Sequence, residues 1–178
     1  MAKIVDFQTY KTKRAELNGF GPWHSRFGES YNRNTMFSDL SQQVIYKLAL
    51  PGEDSIIAFY ELIMGILGLG AASKFFYLDK INQMAVVDIH LFIADQVRFE
   101  MMFRLGWIEK LPCENYSIIE IVTNFDMVTA ECRGLVPGLS KSHPDYGDYA
   151  GLVSMDKDAF IRRMLPKALE IFKKSIEL

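Results

Sequence analysis

The stretch that most constrains this chain is residues 79–105, DKINQMAVVDIHLFIADQVRFEMMFRL. It holds neither Pro nor Gly and is long enough for about seven helical turns. Asp79 stands where an N-cap side chain belongs, and Gly106 where a left-handed residue ends a helix. Apolar residues fall on every side of this helix, with a few charges among them. A helix that is apolar all round is buried. The pattern therefore predicts a buried central helix with the rest of the domain around it.

The remaining chain reads as further helices. Residues 6–18 form the first, ended by Asn18-Gly19. Residues 38–50 form the second, ended by Pro51-Gly52. In the next, 55–69, Ala58, Glu61, Gly65, Gly68 and Ala72 recur at steps of three and four. Small residues in a stripe let a neighbouring backbone come close, and the stripe is expected to seat helix 79–105. Ser117-x-x-Glu120 is a capping box that opens a helix running to Cys132, with Gly134 as its stop. Ser154 caps a helix to residue 165, and Pro166 breaks it or opens the last one.

Two stretches, 19–37 and 135–153, have no helical period and are rich in Gly and Pro. Both read as long ordered loops, because aromatics such as Phe20, Trp23, Phe27 and Tyr31 need a packed setting. Strand signals are too short to build a sheet. The expectation is an all-α fold, a single compact helical domain over residues 1–178. It would hold about six or seven helices around the buried helix 79–105, with two long loops.

Composition narrows the function. The chain has 178 residues, 49% of them apolar, and a net charge of −2. That excludes a general nucleic-acid binder, which needs clustered cations. Mean hydropathy is +0.04, so either the core is large or apolar surface meets a partner. The most apolar run, residues 56–72, is short for a span and carries Glu61, so no stable membrane insertion is expected. The first residues lack a continuous apolar core, which predicts a cytoplasmic chain. Cys113 and Cys132 have no metal-ligand spacing and read as two thiols in a reducing compartment.

Two places can carry chemistry. The first is a buried polar set of Glu61, Asp88, Asp95 and Arg98. Asp95 and Arg98 are spaced to pair on one helix, while His90 faces away from Asp88, so one helix cannot offer both to one ion. No metal site is expected there. The second is the loop pair. His24, Arg26, Tyr31 and Arg33 on one loop, and His143, Asp145, Tyr146 and Asp148 on the other, would together offer proton transfer and anion binding. No nucleophile elbow, P-loop or dinucleotide fingerprint occurs, and nothing in the sequence names a cofactor.

The main functional expectation is a helical binding or interaction protein that self-associates, as a dimer, through apolar helix faces. The alternative is a small enzyme or metal-dependent binder of a small-molecule ligand, with its site between loops 19–37 and 135–153. A lipid-facing role for the apolar hairpin 56–105 is a third, weaker option.

Overall fold

A computed structural model describes residues 7–109, 111 and 115–177. The described chain is all-α. Its helices are α1 (Phe7–Phe27), α2 (Gln42–Ala49), α3 (Glu53–Leu67), α4 (Lys80–Arg104), α5 (Ile118–Thr123), α6 (Phe125–Thr129), α7 (Tyr146–Ala150), α8 (Ser154–Arg163) and α9 (Leu165–Ile176). Two 3₁₀ turns, Phe37–Asp39 and Ala72–Tyr77, precede α2 and α4. The one extended pairing among the described residues is an isolated bridge between Ile108 and Leu139. One buried cluster runs from Phe20 through α3 and α4 to Phe172. The helices outnumber the expected six or seven because those at 117–132 and after 154 are interrupted and stretch 135–153 adds α7. Asn124, at φ −121° and ψ 38°, separates α5 from α6. Met164 separates α8 from α9, where Pro166 sits in the first turn.

Local signals act as the sequence implies. The Asp79 carboxylate accepts the Asn82 N–H at 2.9 Å. Gly106 closes α4 at φ +74°. In the capping box, Ser117 N–H donates to Glu120 Oε2 at 2.8 Å, and Glu120 N–H donates to Ser117 Oγ at 3.2 Å.

Stretch 19–37 is corrected. Its first half continues α1, which stops at Gly28 (φ +69°) and not at Asn18-Gly19. Pro22 lies inside the helix, and its φ is a helical one. The cost is local: Pro22 has no N–H to offer the Asn18 carbonyl four residues back. Gly21, just before it, has no Cβ to clash with the proline ring.

At this turn α3 presses against α1. A Cβ built on Gly65 would overlap the Asn18 carbonyl, 2.6 Å from its carbon, and lie 2.9 Å from the Gly19 Cα. Four residues after Gly19, Trp23 Nε1 donates to the Ala58 carbonyl at 2.8 Å. The small-residue stripe of α3 therefore seats α1, not α4, and α1–α3 is the most extensive helix pair in the fold. Spacing identified the face but not the helix that covers it.

Stretch 135–153 contains the short helix α7. It is tied to the end of α4 by Ser140 N–H to Trp107 O at 2.8 Å and Glu109 N–H to Gly138 O at 2.9 Å. Cys132 is disulfide-bonded, which corrects the expectation of a helix-face thiol; Cys113 lies outside the described residues. A lack of metal spacing does not prevent pairing, and disulfides persist chiefly in oxidising compartments.

α4 touches α2, α3, α9 and the Phe37 turn, so it is central. It is not buried throughout. From Phe92 to Met102 most residues are buried, whereas its first half leaves one apolar side open.

Candidate functional site

The alternative reading sets a site between the two loops, and the structure gives each set of residues its own surroundings. His24 and Arg26 occupy the last turn of α1, where positive charge suits the helix dipole. Arg26 Nη2 pairs with Glu61 Oε1 at 2.9 Å. Tyr31 is buried in an aromatic nest, 5.4 Å from the Phe20 ring, 5.8 Å from Trp23 and 5.5 Å from His24. Burial, with Glu29 beside it, pushes its hydroxyl well above the usual tyrosine range. Arg33 is exposed.

His143 packs edge-on against Trp107 at 5.3 Å, and its Nδ1 accepts the Asp145 N–H at 3.1 Å. Tyr146 lies 6.0 Å from Tyr149, and Asp148 is exposed. Among the described residues no hydrogen bond, ion pair or ring contact joins the His24 set to the His143 set. No group of three or more His, Cys, Asp or Glu is placed there to hold a metal.

The polar set is partnered near the surface, each acid by an arginine from another helix or loop. Glu61 binds Arg26. Asp88 binds Arg133, which also reaches Asp126 at 3.5 Å and covers the Phe125 ring. Asp95 binds Arg162 at 2.9 Å, with Arg98 more distant at 4.0 Å. His90 faces the other way, between the rings of Phe59 and Tyr60. Burial first, and Arg98 second, lower its pKa.

The deeply buried ion pair is another one. Glu100 accepts from Arg104 Nε at 2.7 Å, with side-chain exposures of 5% and 17%. The same guanidinium donates to Gln42 Oε1 and to the carbonyls of Ser38 and Leu40 at 2.7–3.1 Å. It is a structural clamp between the end of α4 and the turn before α2.

What remains open is the outer side of the first half of α4. Ile81 is 81% exposed, Met84 66% and Leu91 59%. They recur at three and seven residues, so they share a side. Phe76 and Tyr77, on the turn before α4, are 85% and 84% exposed. A shallow groove of about 580 Å³ runs along this side of α4, bounded by Phe75, Lys80, Val87 and Asp88. Lys74 Nζ lies 5.6 Å from the Tyr77 ring centre. Lys80 is exposed and forms no ion pair among the described residues.

Periodicity does not separate this face from the buried one, because both are apolar. Charge does not separate them either: 80–91 carries Lys80 and Asp88, and 92–104 carries Asp95, Arg98, Glu100 and Arg104. No helix of the described residues is long and apolar enough to cross a membrane. Comparison of the chain with protein-family models, curated proteins and solved structures finds no match.

Proposed function

We propose that this chain is a non-enzymatic interaction module that self-associates through the open apolar face of α4 and the turn before it. The observation that carries the reading is that face. Ile81, Met84 and Leu91 stand on one side of α4 with most of their surface in water, Met84 and Leu91 line one groove with Phe75 and Val87, and Phe76 and Tyr77 are exposed on the turn before the helix. Single exposed apolar residues are ordinary, but a contiguous patch marks an interaction site. Burying one such side chain is worth about 1.5–3 kcal/mol, so several together can offset the entropy lost on association. The compartment that fits this reading is one that tolerates the Cys132 disulfide.

The test is sedimentation velocity of the wild-type chain and of Leu91→Asp, with circular dichroism to check the fold. Wild type should populate a dimer as concentration rises, and the variant should stay monomeric with an unchanged helical spectrum. A wild-type chain that remains a compact monomer at the highest concentration would overturn the reading.

A further inference from the structure

We infer that two copies of the chain pair their α4 helices antiparallel, about a two-fold axis near Met84, with Lys80 of each copy facing Asp88 of the other. This rests on the self-association proposed above and adds the partner's direction and register.

A two-fold interface uses the same patch on both copies, so the patch must complement itself. The open side of α4 has that property about Met84. Three residues to either side stand Ile81 and Val87. Four to either side stand Lys80 and Asp88. An antiparallel pair therefore sets Ile81 against Val87 and Lys80 against Asp88, apolar against apolar and cation against anion. A parallel pair would set Lys80 against Lys80 and Asp88 against Asp88, and like charges brought together across an interface are costly.

The partners are available. Lys80 is exposed and forms no ion pair among the described residues. Asp88 already holds Arg133, yet its side chain keeps 47% of its surface, and a carboxylate has about four acceptor positions. The helical span from Lys80 to Leu91 is about 17 Å. That places the contact at the small end of specific interfaces and makes the dimer concentration-dependent. A lipid surface fits less well. Asp88 lies within the face, and the chain's net charge of −2 is repelled by anionic headgroups.

The test is sedimentation equilibrium on four chains: wild type, Lys80→Glu, Asp88→Lys, and an equimolar mixture of the two variants. Each variant alone should dimerise at least about tenfold more weakly. The mixture should recover wild-type strength, because every facing pair is then opposite in sign. Melting curves of the monomers separate this from misfolding. Met84→Cys supplies a second readout. On oxidation it should form a covalent dimer readily, whereas Leu91→Cys, about 21 Å from its twin, should not.

If wild type dimerises and Leu91→Asp abolishes it, but the mixture does not recover, the register is wrong while self-association stands. If wild type stays monomeric and instead sediments with phosphatidylserine-containing vesicles, both this inference and the reading beneath it fall.

Discussion

Gly65 is the residue on which the α1–α3 contact turns. Pro22 frees the Asn18 carbonyl, and only a glycine at 65 lets α3 approach that turn so closely. Even one methyl group would meet backbone, which cannot rotate away as a side chain can. Gly65→Ala should therefore destabilise the fold by roughly 1–3 kcal/mol through overpacking. For a chain of this size that is a fall of about 2–4 °C in Tm per kcal/mol. Gly147, within α7, has nothing within 4 Å of an added Cβ. Gly147→Ala should leave Tm unchanged or raise it slightly, since alanine is the better helix former by about 1 kcal/mol. Equal effects of the two substitutions in thermal circular dichroism would mean that close packing at Gly65 is not what matters. The special role of Gly65 was legible, because steps of three and four reveal a face. Its partner was not, because Pro22 reads locally as a loop residue although its fixed φ suits a helix.

Elements were legible where their signals are local. Asp79, Gly106 and the Ser117–Glu120 box each act within a few residues, and each sits where the sequence puts it. The polar contacts were legible only in part, because they are made across the fold. Glu61, Asp88 and Asp95 each meet an arginine 35 or more residues away, which no spacing along one helix reveals. The Glu100–Arg104 step of four was visible. Its wider role was not, since Arg104 reaches more than 60 residues back to Ser38, Leu40 and Gln42. That reach fixes the end of α4 to the turn that leads into α2. Arg104→Met should cost about 3–5 kcal/mol, because it leaves the Glu100 carboxylate buried and unpaired. Adding Glu100→Gln should recover a measurable part of the loss, because the leftover charge is then gone. Urea melts of the two chains decide the matter. A single substitution as stable as wild type would show that the clamp does not hold α2 to α4.

At the scale of the whole molecule, helical class follows from periodicity, but the division between core and surface does not. Residues 79–105 read as apolar all round. The reason is now physical: one side meets α2, α3 and α9, while another, in the first half, stands largely open among the described residues. Apolar residues look alike in sequence whether a fold or a second chain covers them. Thermal stability can tell the two apart. Association of folded chains stabilises them by mass action, by about 2.7 kcal/mol when the free partner stands at 100 times the dissociation constant. Unfolded chains lack the face and gain nothing. The wild-type Tm should thus climb by several degrees over about a hundredfold rise in concentration. Leu91→Asp should melt at one temperature throughout, close to the wild-type value in dilute solution, because Leu91 contributes little to the monomer's own core. A wild-type Tm that does not move with concentration would leave the α4 face without a second copy to cover it. A variant that melts well below dilute wild type would instead place Leu91 within the fold's own packing.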